Sequence, residues 1–247
     1  MTTQAPIRLF GLGLGPGDPD YMTVRARKVL ESADRLVHFC KRGRRGNARS
    51  IADAIVGQNP EREIALAYPV TTEIPAEHPD YAAALNPFYE EAASRLIAEV
   101  EAGRVVAVLC EGDPFFYGSF MHLWWRLKDR IPIEVVPAVT AMSGAWTRAG
   151  APITWGDDVL TIVPGTLPEA ELAHRLSSTD AAVVMKLGRN LPKVRAVLKS
   201  TGLLERAIYV ERATMAEEWI VPLPELPEDL DAPYFSLILV PGQGRRV

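Results

Sequence analysis

"FGLGLGPGDPDYMT", residues Phe10 to Thr23, sets four glycines and two prolines at the end of an apolar stretch. A glycine-rich turn after a strand usually signals a phosphate cradle. The dinucleotide fingerprint GxGxxG fails here in both registers. Counted from Gly11 its third glycine falls on Pro16, and counted from Gly13 on Asp18. No Gly-Lys-Ser/Thr follows, so the Walker pattern fails as well. A phosphate needs backbone N–H groups and no nearby anion. Pro16 has no N–H to give, and Asp18 adds negative charge. The turn lets a ligand approach the backbone closely while presenting carbonyls and a carboxylate. That suits a cationic or hydrogen-bond-donating ligand better than a polyphosphate, and a purely structural tight turn stays open beside it.

A second turn of the same kind follows the apolar run "RVVAVLC". In "CEGDPFFYGSF" (110–120), Gly112, Asp113 and Pro114 again set a bend at the end of a strand. A third segment, "PAVTAMSGA" (137–145), is small and polar after the run "IEVVP". Its Thr140 and Ser143 are placed to touch a ligand or to cap the next helix. Open α/β sheets bind ligands outside the carboxyl ends of their strands. Turns of this character at two such ends point to one shared site.

The rest of the chain supports an α/β reading. Short runs rich in Val, Ile and Leu at 7–13, 35–40, 63–70, 104–110, 133–137, 159–164, 181–187, 206–212 and 234–240 read as strands. Several are apolar throughout, as in sheets covered on both faces. Helical patterns lie between them. One stripe carries Met22, Ala26, Val29, Leu30 and Ala33. The longest pattern repeats Phe88, Ala92, Leu96 and Val100 and ends at Gly103. Strand–helix alternation defines the class. "PVTTEIPAEHPD" (69–80) reads as the longest loop, and a boundary between two halves is expected near 138–150.

With 247 residues the chain fits one large domain or two modest ones. Its net charge of -4 argues against nucleic-acid binding over the whole surface. Cys40 and Cys110 each end an apolar run and read as buried free thiols. The four histidines are scattered without metal-ligand spacing, so no metal site is expected. There is no basic segment leading into an apolar signal core, and no apolar run of about 18 residues. A cytoplasmic protein without membrane spans is expected.

Taken together, "GLGPGDPDYMT", "EGDPFFYGSF" and "VVPAVTAMSGA" resemble, in order and spacing, the motifs of the tetrapyrrole methylases. "VVMKLGRN" (183–190) and the closing "YFSLILV" extend the likeness over almost the whole chain. That resemblance implies two α/β domains with mixed sheets, 1–138 and 139–247, a bent cofactor in the cleft between them, and a homodimer. It implies S-adenosyl-L-methionine as methyl donor, S-adenosyl-L-homocysteine as product, and a place in cobalamin biosynthesis.

By motif, the cofactor positions carry over to Pro16, Gly112, Asp113, Phe115, Phe116, Tyr117, Thr140, Ala141, Met185, Ala213 and Ser236. Where relatives carry an Arg after the Gly of the second loop, this chain has Ser119. A substrate-holding role for that Arg therefore does not transfer, and Ser119 and His122 occupy its region.

"GDPFFYGSFMHL", "WGDDVLTIVPGTL" and "CKRGRRGNARSIA" bring the likeness nearest to the members that methylate the meso carbon C20 of precorrin-2, giving precorrin-3A. The reaction is an in-line substitution from sulfur to carbon, in which positioning supplies most of the catalysis. The donor is already activated and requires no metal. The acceptor carbon loses a proton overall, which makes Asp18 a candidate base, with Tyr117 and His122 behind it.

The acceptor is a polycarboxylate, and "KRGRRGNAR" offers Lys41, Arg42, Arg44, Arg45 and Arg49 within nine residues. Arginine pairs with carboxylates through two bonds. A solvated basic loop is the plainer alternative. The absence of interleaved aromatics argues against single-stranded nucleic acid. Trp124 and Trp125 point to two sides of one helix, so at least one belongs to the core. Competing readings are a sibling methylase acting at another ring position or on cobalt-precorrin-2, a diphthamide- or ribosomal-RNA-directed enzyme of the same fold, and a non-catalytic tetrapyrrole carrier.

Overall fold

Residues 6–70 and 79–244 are described by a computed structural model of the chain. The chain divides after Thr140 into two units, Met1–Thr140 and Ala141–Val247. Each is built on its own five-stranded sheet.

In the first unit the strands are β1 (Leu9–Gly13), β2 (Arg35–Lys41), β3 (Glu63–Tyr68), β4 (Val106–Cys110) and β5 (Ile133–Val136). They lie in the order β3-β2-β4-β1-β5, and every pairing is parallel. The helices are α1 (Val24–Ser32), α2 (Asn47–Val56), α3 (Pro79–Glu101) and α4 (Phe120–Leu127).

Alternation along the strands sends successive side chains to opposite faces. Leu9, Val37, Ile64, Leu66, Val106 and Val108 pack under α3 and α4 against Leu96, Phe120 and Leu123. Phe10, Leu12, Leu36 and Leu109 pack on the other face against Ala26, Val29 and Leu30 of α1 and Ile51 of α2. Both faces of the central strands β1 and β4 are thus buried, which is why they read as continuous apolar runs. Helix α1 starts where Thr23 accepts the Ala26 N–H on its hydroxyl oxygen at 3.1 Å.

The second unit carries α5 (Ala141–Arg148), β6 (Leu160–Pro164), α6 (Glu169–Leu176), β7 (Ala181–Met185), α7 (Leu191–Ser200), β8 (Ile208–Glu211), β9 (Trp219–Pro222) and β10 (Ser236–Val240). The order is β6-β7-β10-β8-β9. β6 and β7 are parallel, while β10 runs antiparallel to β7 and β8, and β9 antiparallel to β8. The mixed character expected of both sheets therefore belongs to the second alone. In the first, helical crossovers connect the strands and keep them parallel.

Three further elements depart from expectation. Strand β9 went unread: it is a four-residue edge strand whose Trp219 is exposed, so it shows no apolar run. Helix α3 begins at Pro79 and continues through Pro87, earlier than its apolar repeat announces. Helix α2 occupies sequence read as a basic loop. Of the long loop expected at 69–80, residues 71–78 lie outside the described residues. Cys40 and Cys110 are buried and free, and burial raises both thiol pKa values. Among the described residues, no helix is long and apolar enough to cross a membrane.

Candidate active site

The three motif segments of the first unit meet at the carboxyl ends of β4, β1 and β5, three adjacent strands. The Leu14 N–H donates to the Cys110 carbonyl at 3.0 Å, and the Gly112 N–H donates to the Gly15 carbonyl at 2.8 Å. These bonds stitch the glycine turn to the second turn. The third segment is pinned by Asp113. One of its oxygens accepts the Phe115 N–H at 2.9 Å, and the other accepts the Ala138 N–H at 3.1 Å.

Gly13 lies where all three segments converge. A Cβ there would stand 2.6 Å from the Ala138 Cβ, 2.8 Å from the Gly112 carbonyl oxygen and 2.9 Å from Pro114. Only glycine permits that approach. Pro16 is buried. Asp18 accepts the Asp20 N–H at 2.9 Å and caps the short 3-10 turn Pro19–Tyr21. The shared location expected of the first two turns is therefore present in the backbone bonding. It brings Pro16, Gly112 and Asp113 together and draws the segment leading to Thr140 alongside.

Phe115 and Tyr117 stand exposed at the tip of the second turn. Phe115 lies edge-on to Trp124, and Phe116 edge-on to Tyr117. Thr140 closes the first unit and Ala141 opens α5 of the second. Ser119 precedes α4 without capping it; its hydroxyl accepts the Tyr68 O–H instead. Tyr68, from the carboxyl end of β3, was not anticipated. His122 sits in the first turn of α4 with its ring stacked on Tyr89, 4.6 Å between centroids. Burial, with Arg126 nearby, lowers its pKa. Trp124 packs against the core while Trp125 is 69% exposed.

In the second unit, Met185 ends β7, Ala213 follows the end of β8, and Ser236 begins β10. Ser236 is registered opposite Glu211 in the antiparallel pair. These three positions therefore share one end of the second sheet. The Ser236 hydroxyl donates to the Pro233 carbonyl at 2.6 Å.

Backbone strain marks the same places. Among the described residues, the non-glycine positions with positive φ are Tyr117 (53°), Lys186 (57°), Arg212 (49°) and Thr214 (69°). Tyr117 is itself a carried-over position, Lys186 follows Met185, and Arg212 and Thr214 flank Ala213. Such conformations cost about 1–3 kcal/mol each and gather at ligand sites. Nothing in the residue types announces them.

The basic segment is a short turn running into a helix rather than one continuous loop. Lys41 ends β2, a tight turn follows with the Arg44 N–H donating to the Lys41 carbonyl at 3.0 Å, and α2 begins at Asn47. Arg49 lies inside α2 with no exposed surface. It pairs with Asp53 at 2.6 Å and Glu63 at 3.0 Å. Arg45 pairs with Asp53 at 2.6 Å and reaches Glu63 at 3.3 Å. Of these two side chains, expected at the substrate, Arg49 is enclosed within the protein, while Arg45 stays at the surface with its guanidinium held by Asp53 and Glu63. Lys41, Arg42 and Arg44 remain exposed.

The donor set suits a sulfonium cofactor rather than a phosphate. The glycine turn contains a proline without N–H, the Gly112 N–H is already bonded to Gly15, and Asp18 and Asp113 supply negative charge. Among the described residues, no three His, Cys, Asp or Glu side chains converge as metal ligands.

Residues 8–227 match the family described as Tetrapyrrole (Corrin/Porphyrin) Methylases, and the chain belongs to that family. It is 52% identical over 236 residues to a precorrin-2 C(20)-methyltransferase of a Sinorhizobium species, covering 95% of both chains. A cobalt-precorrin-2 C(20)-methyltransferase of Salmonella typhimurium is 33% identical, with 96% of this chain and 97% of that one covered. Among solved structures, the cobalt precorrin-4 methyltransferase CbiF has the same fold, with a TM-score of 0.71 at 24% identity over 94% of both chains. A uroporphyrin-III C-methyltransferase of Thermus thermophilus, complexed with S-adenosyl homocysteine, has a TM-score of 0.65 at 22% identity, covering 97% of this chain and 99% of that one.

Proposed function

We propose that this protein transfers a methyl group from S-adenosyl-L-methionine to C20 of precorrin-2, giving precorrin-3A in cobalamin biosynthesis. The observation that carries the reading is the convergence of the three motif segments at β4, β1 and β5 in a chain 52% identical to a precorrin-2 C(20)-methyltransferase. The lower identity to the cobalt-precorrin-2 enzyme, 33%, favours the metal-free acceptor.

The cofactor supplies a methyl group already activated on a positive sulfur. The protein's work is therefore to bind, orient and exclude water. Pro16, Gly112 and Asp113, with Phe115, Phe116 and Tyr117, hold it from the first unit. On the family resemblance, Thr140, Ala141, Met185, Ala213 and Ser236 are further cofactor positions. Asp113 acts chiefly by fixing the segment before Thr140, since both its oxygens already accept backbone N–H groups. Asp18 takes the C20 proton. Its place in the glycine turn supports this better than the positions of Tyr117 or His122, the latter packed flat on Tyr89. Lys41, Arg42 and Arg44, with Ser119, meet the acceptor's carboxylates. The protein works as a homodimer in the cytoplasm, a reading supported by the family resemblance.

The test is calorimetric titration with S-adenosyl-L-methionine, followed by anaerobic turnover with precorrin-2. Cofactor binding with precorrin-2-dependent release of S-adenosyl-L-homocysteine is expected. A protein that bound the tetrapyrrole but not the methyl donor would be a carrier, and the proposal would fall.

A further inference from the structure

At the basic turn lies a connected set of charges, with Arg49 fully buried and Arg45 at its surface. α2 lies across the face of β2 and β3 that carries Glu63, and His38 lies on the same face. Arg49 donates to Glu63 at 3.0 Å and to the Gly57 carbonyl at 2.8 Å, and pairs with Asp53 at 2.6 Å. Arg45 donates to both oxygens of Asp53, at 2.6 and 2.7 Å. His38 approaches Glu63 at 3.9 Å, and burial holds its pKa below the ordinary value. Two guanidinium groups thus face two carboxylates. Gly46 packs closely against the set, since a Cβ there would stand 2.3 Å from the Phe39 carbonyl oxygen and 2.4 Å from the His38 ring.

The set is tied to the cofactor side of the sheet. Helix α2 has no side-chain cap of its own at Gly46. Instead the Glu111 carboxylate, immediately before Gly112, accepts the Ala48 N–H at 3.0 Å. A carboxylate is well placed against free N–H groups at a helix start. Above this anchor, Lys41, Arg42 and Arg44 leave the carboxyl end of β2, beside the second turn at the end of β4. Among the described residues, none of these three side chains has an acidic partner.

We propose that Arg45, Arg49, Asp53, Glu63 and Glu111 are positioning residues. They fix the turn Lys41–Arg44 relative to the second turn, so that its three exposed cations meet the carboxylates of the tetrapyrrole. The inference rests on the proposed methyl transfer. It assigns the buried Arg49 and the carboxylate-paired Arg45 to holding the turn rather than to touching the substrate. Removing one partner of a buried ion pair leaves the other charge uncompensated, and the turn above then loses its register.

The test uses Asp53→Asn and Glu111→Gln in the full chain, each alone and combined with Arg44→Ala. Wild-type turnover on precorrin-2 in the same assay checks the underlying reading first. Each single variant is expected to raise KM for the tetrapyrrole roughly tenfold while kcat stays within about twofold. Cofactor affinity should not change for Asp53→Asn. Combined with Arg44→Ala the losses should be less than multiplicative, because a displaced turn gains little from Arg44. Should Asp53→Asn fail to fold, Arg45→Lys, which keeps the charge but loses the two-bond fork, reads the same effect. An unchanged tetrapyrrole KM, or fully multiplicative losses, would overturn the positioning role even with an active wild type. An inactive wild type would remove the functional reading beneath it.

Discussion

Asp113 and Ala138 are 25 residues apart in sequence, yet the Ala138 N–H donates to the Asp113 carboxylate at 3.1 Å. The bond joins the loop after β4 to the segment after β5, while the other oxygen of Asp113 folds its own loop through the Phe115 N–H. One side chain thereby sets two of the three motif segments. Asp113→Ala should lower cofactor affinity at least tenfold, read by calorimetric titration. Hydrogen bonds to a charged group contribute about 1.5–3 kcal/mol each, so the thermal midpoint should fall as well. Asp113→Asn keeps one acceptor and should lose less on both measures.

Gly13→Ala tests the same convergence sterically. Its Cβ would meet the Ala138 Cβ at 2.6 Å and the Gly112 carbonyl oxygen at 2.8 Å, and backbone cannot yield as a flexible side chain can. Overpacking of this kind costs about 1–3 kcal/mol. Denaturant unfolding should show that loss, and S-adenosyl-L-methionine binding should weaken with it.

Asp18→Asn separates charge from capping. Asparagine also caps helical turns, so the bond to the Asp20 N–H survives and stability should hold within about 0.5 kcal/mol. If Asp18 takes the C20 proton, kcat should fall about 10²-fold or more, and the acidic limb of its pH profile should disappear. An unchanged profile would assign the proton to solvent or to another residue.

Arg44→Ala should raise KM for the tetrapyrrole several-fold, leave cofactor affinity unchanged and reduce the sensitivity of KM to salt. An exposed cation acts through a field that salt screens over about 8 Å at physiological ionic strength. Steady-state assays across a salt series would read both effects.

His38 makes stability depend on pH. Burial lowers its pKa in the folded protein, with Glu63 opposing and Arg45 and Arg49 adding to the effect. Asp53 on α2 completes the surrounding charges. Below the unfolded value of 6.5, the unfolded chain takes up a proton that the folded chain resists. Stability from this residue is therefore present above that pH and lost as pH falls toward the folded value. His38→Gln should flatten the thermal midpoint between about pH 7 and pH 5. A slope identical to wild type would contradict the assignment.

Much of this was legible in the residues. Pro16 and Asp18 excluded a phosphate cradle, and Gly/Asp/Pro turns after the apolar runs of β1 and β4 located the shared edge of the first sheet. Buried strands such as Val106–Cys110 announced themselves because both faces of that sheet are covered. The role of the basic segment was not legible. Arg45 and Arg49 look like Lys41 and Arg44 in sequence, and only folding reveals that Asp53 of α2 and Glu63 of β3 pair with them. The Glu111–Ala48 bond spans 63 residues and leaves no local pattern. Strained Lys186, Arg212 and Thr214 are ordinary residue types whose φ angles are set by tertiary context. Strand β9 lies at an edge with Trp219 exposed, so periodicity had little to find.

The most direct measurement is anaerobic incubation of the purified protein with precorrin-2 and S-adenosyl-L-methionine carrying a carbon-13 methyl group, with carbon NMR of the product. The account predicts a single new labelled methyl on C20, formed without cobalt. A label at another ring position, a requirement for cobalt, or no transfer by protein that demonstrably binds the cofactor would contradict it.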